Sequence, residues 1–339
     1  MEKRVFSGMR PTGKMHLGHY LGALKNWVAL QDQYHCIFGV ADWHALTTSF
    51  EQSHLLERNI IDMVMDWLSV GIDPEKSIIM LQSLVPEHAV LHLLFSMITP
   101  VGWLERNPVL KQQLQDMGLK EAVGYGHLGY PVLMAADILV YRASWVPVGE
   151  DQVPHVEITR EIARRFNFLY QEEVFPEPQS ILTEVPRILG IDGRKMSKSL
   201  NNYIGLSDSK EVVRKKTLSM FTDPEKIRKN DPGHPEQCNV FSFHKVVNNP
   251  SLVELKRDCE KGVLGCVACK EELSRLLVDF LEEITPFREK YQGKESLVEE
   301  LLVEGSKKAR PIAQETLEKA QKAMKIAYQF VREGKEGVR

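Results

Sequence analysis

The sequence predicts an α/β fold, a doubly wound parallel sheet followed by an all-helical region. Three observations carry this. Short, nearly continuous apolar runs alternate with stretches of helical period from residue 4 to residue 166. Each apolar run leads into a helix and not into a hairpin turn, as parallel strands joined by crossovers require. After about residue 205 the strand-like runs stop, and helical stretches joined by Pro, Gly and Asn breakers remain.

The elements follow in order. RVFSG (4–8) reads as the first strand, and residues 17–34 place Leu17, Leu21, Leu24, Trp27 and Leu30 at helical spacing. CIFGVAD (36–42) is the second strand, 54–72 a helix, and SIIMLQS (77–83) the third strand. Residues 87–141 are helix-rich, WVPVG (145–149) is a fourth strand, and 153–166 a helix. Further helices are expected at 208–219, 251–260, 270–285, 295–304 and 311–332, separated by breakers such as TDPEK, NDPGHPEQ and NNPS. In such a fold, ligands bind beyond the carboxyl ends of the strands.

A chain of 339 residues suggests two domains, placed here at 1–204 and 205–339. The net charge of −3 argues against indiscriminate nucleic-acid binding, and DNA is not an expected partner. The basic excess is local: residues 210–229 carry seven Lys or Arg against three carboxylates, and 305–339 nine against four. No apolar run approaches the ~18 residues of a membrane span. The start, MEKRVFSGMRP, has no apolar leader, so a cytoplasmic location is expected.

Two stretches need an explanation that helix stability does not give. MRPTGKMHLGHY (9–20) puts histidines and glycines, poor helix formers, at the start of the first helix. A strand–loop–helix start suits phosphate, because its N–H groups and dipole favour negative charge. Gly18 lets a flat group approach the backbone, and His16 and His19 lie one turn apart. GRKMSKSLNN (193–202) offers Lys195 and Lys198 on a loop expected to be mobile, given Gly190, Gly193, Asn201 and Asn202. Two ammonium groups there suit charge that develops on a triphosphate.

In this order and context, HLGH and KMSKS resemble the two signature motifs of the class I aminoacyl-tRNA synthetases, whose catalytic domain is Rossmann-like. Further segments resemble the tryptophanyl/tyrosyl subgroup, and within it the tryptophanyl-tRNA synthetases: FSGMRPTGKMHLGHYLGAL, ADWHALT, VGIDP, YPVLMAADILVY, VPVGEDQVPHVEITREIARRFN and KMSKS. The resemblance covers essentially the whole chain. It implies tryptophan–tRNA ligase activity with L-tryptophan, ATP–Mg²⁺ and tRNA(Trp), a homodimer, and an anticodon-side helical domain. It implies catalytic roles for His16, His19, Lys195, Lys198 and Lys111. ATP would be held by Arg10, Pro11, Thr12, Gly18, His19, Gly149, Glu150, Asp151, Ile188 and the loop Lys195, Met196, Ser197, Lys198 and Ser199. Asp137 would accept the indole N–H, in a pocket with Phe6, Gly8, His44, Tyr130, Met134 and Gln152. Arg10 departs from the glutamine common in the family. The rival readings are a tyrosyl-tRNA synthetase, whose bacterial members usually carry an extra C-terminal domain, and a non-catalytic tRNA-binding paralogue.

Four of the five cysteines, Cys238, Cys259, Cys266 and Cys269, cluster in sequence, which favours a metal site over disulfides in a cytosolic chain. Zinc usually takes two short Cys/His pairs, and here His234 would have to supplement Cys238. The C-x6-C-x2-C run resembles the loop of [4Fe–4S] DNA-repair glycosylases and of a subset of tryptophanyl-tRNA synthetases. The resemblance implies a [4Fe–4S] cluster, with zinc and free thiols as alternatives.

Overall fold

The computed structural model describes residues 3–107, 124–182, 189–198 and 200–328. Its centre is a five-stranded sheet, all parallel, formed by β1 (Arg4–Met9), β2 (His35–Val40), β3 (Ile78–Leu81), β4 (Trp145–Val148) and β5 (Gln179–Leu182). The spatial order is β3-β2-β1-β4-β5, so the chain reverses direction across the sheet beside β1. That reversal opens a crevice at the carboxyl ends of β1 and β4. Four of the strands match the expected runs. β5 is an addition: this edge strand is half-buried to exposed along its length, so its sequence lacks the apolar run of the inner strands.

After β1, α1 (Leu17–His19) passes through a π-helical turn (Tyr20–Leu24) into α2 (Lys25–Leu30). α3 (Asp42–Ser49) and α4 (Leu56–Ser69) follow β2. α5 (Glu87–Ser96), α6 (Val101–Glu105) and α7 (Tyr125–Val140) lie between β3 and β4, and α8 (Val153–Tyr170) follows β4. One face of the sheet is filled by Trp27 stacked on Phe38, ring centroids 4.6 Å apart, with Trp67 edge-on to Trp27. On the other face Phe95, Phe166 and Phe175 pack edge to face. Contacts of this kind add to the area the rings bury.

The helices beyond residue 205 are α9 (Lys210–Leu218), α10 (Asn239–Val246), α11 (Leu252–Glu260), α12 (Cys266–Ile284), α13 (Arg288–Tyr291) and α14 (Glu295–Ala323). They join both cores: Phe243, Leu277 and Leu302 pack with Val5 and Trp67, and Ala309, Ala313 and Ala320 with Phe6 and Ile37. Three expectations change here. α10 was not anticipated, and α12 starts at Cys266, earlier than expected. The two helices expected at 295–304 and 311–332 form one helix that runs through Pro311. The reason is tertiary. α14 crosses the exposed side of β3, where Ser306 Oγ accepts the backbone N–H of Leu81 at 3.0 Å. The helix thus covers a sheet edge and satisfies one of its amides. Gly305 makes the approach feasible, since a Cβ there would lie 1.8 Å from the carbonyl oxygen of Ile79. Among the described residues, no helix is long and apolar enough to cross a membrane.

Candidate functional site

A cavity of about 350 Å³ opens at the carboxyl ends of β1 and β4. Phe6, Gly8, His44, Tyr130, Met134, Asp137 and Gln152 all line it, so the seven residues expected in an amino-acid pocket come together. Arg10 and Gly149, expected with the nucleotide, line the same cavity.

Asp137 lies at its base, 4% exposed, on the apolar helix α7. His88 Nδ1 and His44 Nε2 donate to its two oxygens at 2.7 and 2.9 Å. Gln82 Nε2 reaches both oxygens, at 2.7 and 2.9 Å. A carboxylate only accepts, so each of these nitrogens carries a proton. The outer contacts fix the remaining orientations. Gln82 Oε1 accepts from the N–H of Trp43 at 3.1 Å, and the Tyr141 hydroxyl donates to His88 Nε2 at 2.7 Å. Burial would raise the pKa of Asp137, but the hydrogen bonds from His44 and His88 outweigh it and hold the carboxyl far below the usual range. Tyr130 is held in turn, its hydroxyl bonded to His155 Nε2, with Asn107 on the other ring nitrogen at 2.9 Å.

The two signature segments meet beside this cavity. His16 caps α1, and its backbone N–H donates to His19 Nδ1 at 3.2 Å, so His19 carries its proton on Nε2. Burial first, then the charges of Lys198 and Lys216, pushes His16 down to about 3. Burial, His16 and Lys198 hold His19 well below the ordinary value. Both rings are therefore neutral, with N–H groups to offer and no charge. From behind, the Asp66 carboxylate accepts the N–H of Met15 at 2.8 Å. Leu17 and Leu206 exchange backbone bonds with Ile204 and Met15, both at 3.0 Å.

Lys198 Nζ donates to Gly13 O at 2.8 Å and to Thr12 Oγ1 at 3.2 Å. Met196 Sδ would lie 3.4 Å from a Cβ on Gly18, so the second motif covers the first. Asn202, expected to loosen this loop, instead fastens it. It is 2% exposed, its Oδ1 accepts from Ser197 N at 2.7 Å, and its Nδ2 donates to Asp192 Oδ1 at 2.7 Å and Lys195 O at 3.0 Å. Pro11 and Thr12 lie at a small neighbouring cleft, and Glu150 opens the turn after Gly149. Lys111, Ile188 and Ser199 lie outside the described residues, as does the side chain of Asp151.

Sequence reasoning missed Gln82 and His88, which hold Asp137. The rule that sites form beyond strand ends would have pointed to Gln82, the first residue after β3. His88 gives no local signal.

Cys238 caps α10, Cys259 lies in α11, and Cys266 and Cys269 stand in the first turn of α12. None forms a disulfide. Burial, and then the thiols of Cys238, Cys259 and Cys266, push Cys269 up to about 12; burial raises Cys259 too, with Lys226 opposing and Cys238 and Cys266 adding to the rise. The four sulfurs are thus neighbours, although among the described residues no group of three or more His, Cys, Asp or Glu stands in ligand geometry. His234, the expected supplement in a zinc site, pairs with Asp223 at 3.0 Å and Glu225 at 3.3 Å.

Comparison with known proteins agrees with this geometry. Residues 1–282 match the model of the tRNA synthetases class I (W and Y). The tryptophan–tRNA ligase of Aquifex aeolicus is 46% identical, over 95% of this chain and 100% of that one. That of Thermotoga maritima is 47% identical, over 96% and 100%. The crystal structure of the Campylobacter jejuni tryptophanyl-tRNA synthetase, complexed with ADP and tryptophan, superposes with a TM-score of 0.84 at 36% identity, covering 95% of this chain and 99% of that one. The chain belongs to the class I tRNA synthetases (W and Y), and within them to the tryptophan–tRNA ligases.

Proposed function

We propose that the cavity takes L-tryptophan with its indole N–H on Asp137, and that the HLGH and KMSKS segments hold ATP–Mg²⁺ beside it. The observation that carries this is the buried, ionised carboxylate at the base of a cavity that Phe6, Trp27, Tyr130 and Met134 also line. A carboxylate offers about four acceptor sites. His44, His88 and Gln82 occupy them, with Gln82 spanning both oxygens, so the indole N–H takes over one of the two Gln82 contacts. Phenylalanine has no such donor, and a site built on a buried polar contact rejects it by ~10⁴–10⁵. That the Campylobacter enzyme was solved with ADP and tryptophan supports tryptophan and an adenine nucleotide as the ligands.

As a tryptophan–tRNA ligase the chain forms tryptophanyl-AMP and pyrophosphate, then transfers the acyl group to tRNA(Trp). The tryptophan carboxylate attacks the α-phosphorus. His16 and His19 donate N–H groups to the phosphates, while Lys195 and Lys198 bring charge to the departing pyrophosphate, a task that grows toward the transition state. Lys111, Ile188, Asp151 and Ser199 belong to the same nucleotide grip by family resemblance. The catalytic domain spans 1–204, and 205–339 forms the anticodon-side helical region that meets tRNA. Exposed Val90, Leu93, Met97 and Val101 form an apolar stripe from α5 to α6 that suits a homodimer. A tRNA substrate suits a cytoplasmic location.

The four thiols suit a metal group with sulfur ligands. Cys238, Cys259, Cys266 and Cys269 would hold a [4Fe–4S] cluster, with zinc as the alternative. When bound it would tie α10, α11 and α12 together. The amino-acid assignment is tested by equilibrium binding. Asp137→Asn is expected to weaken tryptophan at least tenfold, and Asp137→Ala further, while both proteins fold. Unchanged affinity in both would remove Asp137 from the pocket.

A further inference from the structure

One cavity residue remains unexplained. His127 is 5% exposed and lines the amino-acid cavity, yet among the described residues neither of its ring nitrogens has a hydrogen-bond partner. Buried polar atoms without partners are rare and costly, and such a group aimed into a cavity awaits a ligand. Its place on α7 says which part of the ligand. His127, Tyr130, Met134 and Asp137 follow one another at spacings of three and four, form one helix stripe, and all line the cavity. With ~1.5 Å of rise per residue, Tyr130 stands about 10 Å and His127 about 15 Å from Asp137 along the axis. Tryptophan carries its indole N–H at one end and its α-ammonium and α-carboxylate together on Cα at the other. With the indole N–H on Asp137, the Cα end faces His127, where the neighbouring Arg10 cation attracts the carboxylate and repels the ammonium. Arg10 lines that end too, with Nη1 bonded to Thr48 Oγ1 at 3.2 Å.

We propose that His127 and Arg10 form the subsite for the α-carboxylate of tryptophan, the group that attacks ATP, with one ring N–H of His127 donating to it. The division of labour follows from electrostatics. Burial first, then the Arg10 charge, holds the His127 ring below its ordinary pKa, so it stays neutral and adds direction. Arg10 adds charge. The inference rests on the indole assignment to Asp137, which fixes which way round the amino acid lies.

The test compares equilibrium binding of L-tryptophan with tryptamine, which keeps the indole and the ammonium but lacks the carboxylate. His127→Leu is expected to cut the preference for tryptophan about tenfold or more, the worth of a hydrogen bond to a charged group. Tryptamine affinity should stay within about twofold, since the lost hydrogen bond is one it never makes. His127→Asn, which keeps a donor, recovers part of the preference and serves if the leucine variant unfolds. Asp137→Asn weakens both ligands alike and leaves the preference intact. Wild-type preference in both His127 variants overturns the proposal. So does a His127→Leu protein whose only change is a higher KM for ATP, which assigns the ring to phosphate. If Asp137→Asn changes the preference and His127→Leu does not, the ligand lies reversed and the indole assignment falls too.

Discussion

The ammonium of Lys198 donates to the carbonyl oxygen of Gly13 at 2.8 Å, across 185 residues of sequence. This bond holds the second signature loop against the first before any nucleotide is bound. On the proposed function, adenylate formation takes Lys198 from a carbonyl and gives it to phosphate. Lys198→Ala is therefore expected to lower kcat for pyrophosphate exchange by about 10²–10³ with little change in tryptophan binding, and Lys195→Ala to behave alike. A kcat within twofold of wild type would show that these charges do not act in the transition state.

The same burial gives a pH signature. It pushes Lys198 down to about 8, with the charge of Asp66 opposing. The charged form is the useful one, so kcat/KM for ATP, which reports the free enzyme, should fall as pH rises through about 8. Lys198→Arg should move that limb beyond the measurable range, since arginine stays charged. A wild-type profile that stays flat up to the ordinary lysine range would contradict this.

Gly305→Ala should destabilise the fold without touching the chemistry. The new Cβ would sit 1.8 Å from the backbone oxygen of Ile79, where nothing flexible can yield. A loss of about 3 kcal/mol is expected, at the upper end of overpacking costs. Denaturant unfolding measures it. Unchanged stability would mean that α14 does not bear on β3 as described.

Anaerobically purified protein should be brown and carry about four irons and four sulfides per chain. Cys259→Ser should loosen the segment between Cys238 and Cys269, lower tRNA charging and largely spare adenylate formation. A colourless protein with one zinc would replace the cluster by zinc, and a metal-free protein with full charging activity would leave the cysteines without a metal role.

The inner strands and the site motifs were legible because single residues carry them: β1 and β2 are apolar runs, and HLGH, KMSKS and Asp137 are local patterns. What was hidden depends on partners distant in sequence. β5 is a strand only because β4 pairs with it, and α14 survives Pro311 because it packs on β3. Asn202 looks like a loop residue until its three partners converge on it. Gln82 and His88 gain their role from a carboxylate more than forty residues away.

On the proposed function, the cavity selects tryptophan through Asp137 and presents it to ATP on the adjoining loops. Pyrophosphate exchange measured with each of the twenty amino acids tests it most directly. Exchange is expected with tryptophan alone, with phenylalanine, which lacks the donor, below it by ~10⁴ or more, tyrosine well below it, and tryptophan exchange sharply reduced in Asp137→Ala. Comparable exchange with tyrosine, or tryptophan exchange untouched by the loss of Asp137, would contradict the account.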